Sequence, residues 1–303
     1  MLSDSQIPLS VPEGKLSEYK KNYRLATAGT GRLLLFAGDQ KVEHLNDDFF
    51  GPNIAKDDAS PEHLFKIAAS TKGVLFATHL GLISQYGYQY DQVPYLVKMN
   101  GKTNLGPNED KDSSRTWWTI DQIVKFKKQS GLKIVGVGYT LYLGGRYEAE
   151  MLAEAAQLIS AAHQQGLIAV LWVYPRGQGI KEENIHTIAG GAGVAACLDA
   201  DFVKLKYPYS GRNPKLTIKK YQEVIQAAGR TKIICVGGSQ RETKELLATT
   251  KLQLANGLYG LAIGRNLHQR PLGAATKLTA DLAKIIHAPT KPKKTNSKFL
   301  GLF

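Results

Sequence analysis

The 303-residue sequence has only two cysteines, Cys197 and Cys235. Both lie in apolar segments without metal-ligand spacing, so we expect reduced core residues in a cytoplasmic protein, not disulfides or a zinc site. The sequence also lacks any run of about 18 apolar residues, the length that spans a membrane. Residues 1–14 have neither the basic nor the apolar segment of a signal peptide. We therefore expect neither membrane insertion nor secretion.

Acidic residues are in the minority: 26 Asp and Glu stand against 39 Lys and Arg, which gives a formal net charge of +13. Such an excess fits nucleic acid, an anionic membrane surface or anionic substrates. Several of the lysines lie in a Pro/Lys/Ser segment at 288–298, and the other basic residues are scattered. An aromatic RNA-binding motif, zinc spacing and a long basic helix are all missing, so no nucleic-acid partner is expected. A phosphorylated substrate explains part of the charge more simply.

Short apolar runs alternate with amphipathic segments through most of the chain. Eight runs are candidate strands: Arg32–Asp39, Gly73–Thr78, Tyr95–Met99, Lys133–Tyr139, Ile168–Tyr174, Phe202–Tyr207, Lys232–Val236 and Tyr259–Ile263. Helical periodicity predicts helices over Pro61–Ser70, Thr119–Gln129, Tyr147–Gln165, Glu182–Ala195, Leu216–Ala228, Arg241–Leu254 and Leu272–His287. This alternation predicts an α/β protein with a single (β/α)8 TIM-barrel domain. Residues 1–30 are then an N-terminal extension and 288–303 a basic C-terminal tail.

The most informative run is Asp201–Tyr207, which contains two lysines. Because side chains alternate along a strand, Lys204 and Lys206 share a face. Two ammonium groups are costly to bury, so this face is either solvent-exposed on an edge strand or functional. In a functional site, a crowded and desolvated lysine loses its proton more readily and can form a Schiff base with a carbonyl.

The preceding strand ends in Trp172-Val-Tyr-Pro-Arg-Gly177. Alternation puts Trp172, Tyr174 and Arg176 on one face, and proline, which has no N–H to donate, ends the strand. A ring, a phenol and a guanidinium that rise toward a barrel mouth suit a polar site with a proton-transferring tyrosine. The alternative is a core tryptophan with an interfacial tyrosine. In a barrel these two strands are neighbours, so we expect Tyr174 near Lys204.

Glycine-rich turns follow the last two predicted strands, Gly237-Gly238-Ser239 after the seventh and Gly264-Arg265 after the eighth. Glycines let backbone N–H groups approach an anion, and the serine and arginine side chains add contacts. Phosphate sites made by these two loops recur in this barrel class. The turns therefore predict a phosphate site, with simple tight turns as the alternative.

Asp39 follows a run of apolar residues and is expected at the barrel mouth. There it can hydrogen-bond a substrate hydroxyl or orient the lysine; a helix cap or a structural ion pair is the alternative. Glu43 and His44 suggest a metal, but no second His or carboxylate recurs at ligand spacing, so no metal is expected. His163 and His287 lie in predicted amphipathic helices and are expected to be surface or packing residues.

Taken together, the motifs resemble those of the archaeal-type class I fructose-bisphosphate aldolases, which are related to the deoxyribose-phosphate aldolases. The motifs are Gly38-Asp-Gln40 with Glu43-His44, Trp172-Val-Tyr-Pro-Arg-Gly177, Val203-Lys-Leu-Lys-Tyr207, Gly237-Gly-Ser239 and Gly264-Arg-Asn266. The Trp-x-Tyr-Pro-Arg-Gly and Lys-x-Lys-Tyr motifs are the most specific. The resemblance implies a cytoplasmic homo-oligomer that acts on a phosphorylated sugar, with a covalent lysine Schiff base and no cofactor.

The resemblance also implies residue roles and a reaction. Lys204 matches the Schiff-base lysine, Tyr174 the general acid/base, and Asp39 the carboxylate near the carbinol. The implied substrate-binding residues are Trp172, Arg176, Lys206, His44, Gly237, Gly238, Ser239, Gly264 and Arg265. The implied reaction is the reversible cleavage of fructose 1,6-bisphosphate to dihydroxyacetone phosphate and glyceraldehyde 3-phosphate. In that reaction we expect the Lys206 ammonium to lower the pKa of Lys204.

Three departures from the family pattern lie at the predicted mouth: Lys41 in place of a glycine, a longer Leu45–Ser60 segment, and Pro208-Tyr-Ser-Gly211 after the lysine strand. They leave open a Schiff-base aldolase or a transaldolase-like synthase for another sugar phosphate. A non-catalytic basic binding protein on the same scaffold is a third possibility. The joint presence of Lys204, Tyr174 and Asp39 argues against it.

Overall fold

Eight parallel strands close into a barrel in the computed structural model, which describes residues 4–106, 112–208, 214–238 and 240–289. The strands are β1 (Leu33–Ala37), β2 (Val74–His79), β3 (Tyr95–Lys98), β4 (Ile134–Leu143), β5 (Ile168–Pro175), β6 (Phe202–Leu205), β7 (Lys232–Val236) and β8 (Gly260–Ile263). Neighbours in the chain pair with one another, and β8 pairs with β1. The predicted barrel and all eight predicted strands are confirmed.

Helices alternate with the strands and cover the outside of the barrel. In chain order they are α1 (Leu16–Ala26), α2 (Gln40–Glu43), α3 (Glu62–Ala69), α4 (Leu80–Tyr86), α5 (Ile120–Ser130), α6 (Glu148–Gln164), α7 (Ile185–Cys197), α8 (Pro214–Lys220), α9 (Gln222–Ala228), α10 (Thr243–Ala255), α11 (Arg265–His268) and α12 (Leu272–Ile286). Short 3-10 helices lie at Asp4–Gln6, Glu13–Lys15, Lys56–Ala59 and Gly87–Tyr90. A two-stranded antiparallel ribbon pairs Asn100–Gly101 with Arg115–Thr116.

The seven predicted helices are present, one of them in two pieces. The segment Leu216–Ala228 is interrupted at Tyr221, whose ring is fully buried and whose hydroxyl donates to the Lys206 carbonyl. Four helices were not predicted. Three of these, α2, α4 and α11, have only 4, 7 and 4 residues, too few for a helical period to show.

The fourth, α1, closes the amino-terminal end of the barrel. Tyr19 and Tyr23 on this helix belong to the apolar cluster that fills the barrel, together with Leu35 and Phe202. The rings of Tyr23 and Phe202 stack with their centroids 5.8 Å apart. The N-terminal extension therefore contains a packed element of the barrel itself.

A buried polar network lies at this same end. His163 in α6 is fully buried, with its Nε2 3.1 Å from Asp201 Oδ2 and its Nδ1 3.3 Å from Asp199 Oδ2. The Tyr19 hydroxyl donates to the other Asp201 oxygen. Burial opposes protonation of His163, but the two carboxylates outweigh it and raise its pKa to about 9. His163, expected to be a surface or packing residue, is buried and pairs with the buried Asp201 and the half-exposed Asp199.

Other expectations about the chain have mixed outcomes. Cys235 is a buried core residue as predicted, but Cys197 is exposed, because it is the last residue of α7. Within the described ranges, no helix is long and apolar enough to cross a membrane. The C-terminal tail lies outside the described residues from 290 onward. The roles of the tail and a homo-oligomeric state stay predictions.

Candidate active site

A cavity of about 460 Å³ opens at the carboxyl ends of the strands. A parallel barrel builds its sites at this end because eight strand ends and their loops converge there. Eleven of the predicted site residues line the cavity: Asp39, His44, Trp172, Tyr174, Arg176, Lys204, Lys206, Gly237, Gly238, Gly264 and Arg265. The remaining one, Ser239, lies outside the described residues.

Lys204 lies in β6, between β5 and β7. It is paired in register with Trp172, and its Nζ is 5.1 Å from the centroid of the indole ring. Only 5% of Lys204 is exposed. Burial lowers the pKa of Lys204 to about 8, against the opposing effect of Asp39 and Glu43. The alternative of solvent-exposed lysines on an edge strand is wrong, because β6 pairs with a neighbouring strand on each side and a closed barrel has no edge strand.

Lys206 also lines the cavity, but its ammonium group pairs with carboxylates. Its Nζ lies 3.0 Å from Glu182 Oε2 and 3.2 Å from Glu183 Oε1. The positive charges that lower the pKa of Lys204 are those of Lys98 and Arg176. The expected influence of Lys206 on Lys204 therefore has to be corrected. The alternation of side chains was right, but the glutamates that neutralise Lys206 come from the loop before α7, which local sequence does not relate to β6.

Lys98, the last residue of β3, was not predicted as a site residue. It is fully buried, and its Nζ lies 3.7 Å from Asp39 Oδ2 and 3.7 Å from Glu43 Oε1. Burial opposes ionisation of Asp39, but Lys98 and Lys204 together hold its pKa below the usual value. Asp39 is therefore a carboxylate beside two ammonium groups. A lysine within an apolar strand was the available signal, although Lys98 lacks the second same-face lysine that drew attention to Lys204.

Trp172, Tyr174 and Arg176 line the cavity together, as side-chain alternation predicted. The guanidinium carbon of Arg176 is 4.5 Å from the ring centroid of Tyr174, and its Nε donates to Glu182 Oε1 at 2.8 Å. Burial raises the pKa of Tyr174 well above its usual range, although Arg176 opposes the shift. The resting phenol therefore keeps its proton. It lies on the strand next to Lys204, as expected.

Four buried polar atoms of residues that line the site lack a hydrogen-bond partner in the part of the chain that the structure describes. They are the acceptors Asp39 Oδ1 and Glu43 Oε1 and the donors Trp172 Nε1 and Arg265 Nε. Leaving such atoms unpaired costs free energy, so substrate or water is expected to bind them. The site therefore offers unfilled polar contacts next to a desolvated amine.

The two glycine-rich loops meet at one side of the cavity. Gly238 has φ +74, a conformation that side chains rarely adopt. Asn266 joins the loops: its Nδ2 donates to the carbonyl oxygens of Gly237 and Gly238, and its Oδ1 accepts from the backbone N–H of Arg241. Arg241, which lines the cavity, was not predicted as a site residue. Its position after the Gly-Gly-Ser turn was the available signal.

His44 lies at the rim with the long Leu45–Ser60 loop. Its Nδ1 is hydrogen-bonded to Asp48, and Asp48 Oδ2 lies 3.9 Å from Arg265 Nε. Farther along the loop, Asp58 Oδ2 lies 2.7 Å from Nδ1 of His268, and both residues are fully buried. The loop is therefore fastened to the segment that follows β8. It forms part of the rim beside the predicted phosphate site.

A metal site would need several His, Cys, Asp or Glu side chains close together. Among the residues that the structure describes, no group of three or more His, Cys, Asp or Glu is placed to hold a metal ion. Glu43 faces Lys98, whereas His44 faces Asp48. These two neighbours in sequence thus have separate electrostatic partners.

The comparison with known families identifies the barrel. Residues 33–270 match the model of the DeoC/LacD family of aldolases. The chain belongs to the DeoC/LacD aldolase family. It is therefore a lyase that makes and breaks carbon–carbon bonds, and the resemblance seen in its motifs is confirmed. The lysine Schiff base of a class I aldolase needs no metal.

Relatives of this aldolase have more specific names. A Methanocaldococcus jannaschii protein named fructose-bisphosphate aldolase/6-deoxy-5-ketofructose 1-phosphate synthase is 52% identical over 277 residues, which are 91% of this chain and 88% of the relative. The structure of a fructose-bisphosphate aldolase from Slackia heliotrinireducens aligns with a TM-score of 0.88 and 47% identity, over 93% of this chain and 89% of that one. An archaeal fructose-1,6-bisphosphate aldolase, with its catalytic Lys covalently bound to the carbinolamine intermediate, aligns with a TM-score of 0.75 and 27% identity, over 89% and 99%.

Proposed function

We propose that this aldolase reversibly cleaves fructose 1,6-bisphosphate to dihydroxyacetone phosphate and glyceraldehyde 3-phosphate through a Schiff base on Lys204. The observation that carries the proposal is a buried lysine in a cavity, with a pKa lowered from 10.5 to about 8. At a pH of about 7.5, roughly a quarter of such amines are neutral, against about one in a thousand at the ordinary value. Attack on a carbonyl requires the neutral form.

The choice of a bisphosphate rests on charge and on the relatives. The glycine-rich loops offer backbone N–H groups and the Arg265 guanidinium to one phosphate. Arg176, Lys206 and Arg241 line the same cavity and could bind a second one, for which Arg176 and Lys206 would exchange their contacts with Glu182. Each phosphate monoester carries a charge of about −1.5 to −2 near neutral pH, so a substrate with two of them needs several cations. The named relatives include fructose-bisphosphate aldolases.

The first half of the reaction forms the Schiff base. The neutral Lys204 amine attacks the C2 carbonyl, and Asp39 moves the proton from nitrogen to the new hydroxyl, which gives the carbinolamine. Tyr174 then donates its phenolic proton to that hydroxyl, which leaves as water, and an iminium ion and a phenolate remain. The raised pKa of Tyr174 supports this order, because its resting state is the proton donor that the dehydration needs.

The second half breaks the carbon chain. The Tyr174 phenolate accepts the C4 hydroxyl proton, the C3–C4 bond breaks, and its electron pair moves to the iminium to form an enamine. Glyceraldehyde 3-phosphate leaves, and Tyr174 protonates C3. Water then adds to the new iminium, and Tyr174 regains its proton. Collapse of the carbinolamine releases dihydroxyacetone phosphate and the Lys204 amine, so protons and electrons balance over the cycle.

A second candidate uses the same lysine for a different product. The Methanocaldococcus jannaschii relative is also named a 6-deoxy-5-ketofructose 1-phosphate synthase. If the corresponding C3–C4 bond is formed, that product is dihydroxyacetone phosphate joined to methylglyoxal. It has one phosphate instead of two. Condensation assays with glyceraldehyde 3-phosphate and with methylglyoxal as acceptors separate the candidates. Cleavage assays with fructose 1,6-bisphosphate, fructose 1-phosphate and deoxyribose 5-phosphate complete the comparison.

The decisive experiment is borohydride reduction in the presence of dihydroxyacetone phosphate, followed by peptide mass spectrometry. We expect a single covalent adduct on Lys204, and no adduct and no cleavage in Lys204→Met. Cleavage that is lost on adding EDTA, without any trapped lysine, would contradict the proposal. An adduct on another lysine would do the same.

Lys232→Met is the matched control. Lys232 begins β7 at the opposite end of the barrel, where burial also lowers its pKa and its Nζ donates to the Tyr23 hydroxyl at 2.5 Å. It is thus a second partly desolvated lysine, but one away from the cavity. We expect Lys232→Met to be trapped on Lys204 as in the wild type. Loss of trapping in both variants would point to damage to the barrel.

A further inference from the structure

Lys98 is the fully buried cation of the active-site region, and the reaction scheme above leaves it without a task. Its Nζ lies 3.7 Å from both Asp39 Oδ2 and Glu43 Oε1 and donates to the Asn100 carbonyl at 3.0 Å. Its ammonium is therefore shared by two carboxylates at the two ends of α2, that of the N-cap residue Asp39 and that of Glu43. A buried charge is tolerated only when it is paired in this way.

Lys98 and Lys204 lie on the same aromatic side chain. Their Nζ atoms are 5.6 Å and 5.1 Å from the ring centroid of Trp172. Both ammonium groups lower the pKa of Asp39, so either could serve as its counter-ion. The contacts differ, however: Lys98 makes the ion pairs, whereas Lys204 rests on the indole face.

This division of contacts decides which lysine is free to react. A buried carboxylate attracts the nearest ammonium group, and an ion-paired ammonium is no nucleophile. We propose that Lys98 is a positioning residue for the Schiff-base reaction: its ammonium neutralises Asp39 and Glu43, and so keeps Lys204 from becoming their counter-ion. This inference rests on the proposed function and adds to it the means by which the amine is kept free.

The charged and titratable groups around Lys204 come from several elements. They are Asp39 and Glu43 after β1, His79 at the end of β2, Lys98 at the end of β3, Tyr174 and Arg176 at the end of β5, Glu182 before α7, Lys206 after β6, Arg241 after β7 and Arg265 after β8. Arg176 and Lys206 already pair with Glu182. Removal of Lys98 therefore leaves Lys204 as the ammonium closest to Asp39 and Glu43 that has no carboxylate of its own.

The test is the pH dependence of trapping. Wild type and Lys98→Met are reduced with cyanoborohydride and dihydroxyacetone phosphate from about pH 6 to about pH 10, and the Lys204 adduct is quantified. An opposite charge within a few ångströms shifts a pKa by about 1–3 units, so we expect the midpoint of trapping in Lys98→Met to rise by at least about one pH unit. Trapping near neutral pH should fall about 10-fold or more and recover at high pH. General damage to the fold would not recover in this way.

Three further variants keep the test decisive. Lys98→Arg retains the charge and should keep the midpoint close to that of the wild type. In Lys98→Met/Glu43→Gln a carboxylate is removed together with its cation, and the midpoint should return toward the wild-type value. If Lys98→Met does not fold, Glu43→Gln alone should lower the midpoint, because one carboxylate fewer then stabilises the Lys204 ammonium.

The outcomes also separate this inference from the proposed function. If wild-type protein is not trapped on Lys204, the proposed function fails. If wild type is trapped there and the midpoint is unchanged or lower in a folded Lys98→Met variant, only the role of Lys98 is overturned. An unchanged midpoint in Glu43→Gln, where that variant carries the test, overturns the role as well.

Discussion

The ion pairs of buried His163 with buried Asp201 and with half-exposed Asp199 predict a specific pH dependence of stability. The folded state raises the pKa of His163 from 6.5 to about 9. A group whose pKa is raised on folding stabilises the protein fully below the unfolded value and loses that contribution as the pH rises through the folded value. The stabilisation by His163 is therefore complete below about pH 6.5 and is lost by about pH 9. A shift of this size corresponds to about 3 kcal/mol.

The variant His163→Gln removes this titration. We expect the difference in unfolding free energy between wild type and variant to be about 3 kcal/mol larger at pH 6 than at pH 10. Urea unfolding, followed by circular dichroism at each pH, measures that difference. Other groups that titrate in this range, such as Lys204, are present in both proteins and cancel in the comparison.

His186→Gln is the control, because the side chain of His186 is 90% exposed although it also pairs with a carboxylate, that of Glu223. Exposed ion pairs contribute little to stability. This variant should follow the wild-type profile at every pH. Parallel stability profiles for wild type and His163→Gln would refute the reasoning, since they would mean that His163 binds no extra proton in the folded state.

Three further variants test the site and its support. Tyr174→Phe should lower kcat about 100- to 10,000-fold with little change in KM, because proton transfer is lost while binding remains; an unchanged kcat would remove the tyrosine from the mechanism. Arg265→Gln should raise KM about 10-fold or more through loss of a charge-assisted hydrogen bond to phosphate, and steady-state kinetics with an unaltered KM would exclude that contact. In Gly138→Ala the new Cβ would lie 2.4 Å from Cζ3 of Trp172, so the indole must shift. We expect a loss of about 1–3 kcal/mol in urea unfolding and altered tryptophan fluorescence, and unchanged values of both would contradict this packing.

The fold was predictable because its signals are local. Each barrel strand is a short apolar run, and strands of a closed parallel barrel are buried on both faces, so the pattern is continuous and easy to recognise. The carboxyl ends of the strands converge, which is why residues as far apart in sequence as Asp39 and Arg265 could be assigned to one cavity. The helix α1 was missed because its buried stripe of Tyr19, Tyr23 and Ala26 is embedded in a polar segment.

What escaped prediction depends on distant contacts. The expected effect of Lys206 on the pKa of Lys204 was wrong because Lys206 pairs with Glu182 and Glu183, which come from another loop. Alternation along a strand gives no information about these partners. The hydrogen bond between Tyr19 and Asp201 joins residues 182 positions apart. Lys98 was within reach, since it is a charged residue in an apolar strand, but its partners Asp39 and Glu43 are known only from the folded chain.

The short strand β6 connects the polar contacts of Asp201 at one end of the barrel with the cavity at the other. Asp201, directly before the strand, accepts hydrogen bonds from the Tyr19 hydroxyl and the backbone N–H of Ala169 and pairs with His163. Lys204 faces the cavity three residues later. The contacts that fix the position of Lys204 along the barrel axis thus lie at the end of the barrel opposite the cavity. Directed evolution of substrate preference can therefore vary the mouth loops, including Leu45–Ser60, without loosening the hold on the reactive amine. Conversely, a stabilising substitution at the amino-terminal end of the barrel has to preserve the contacts of Asp201 if Lys204 is to keep its position.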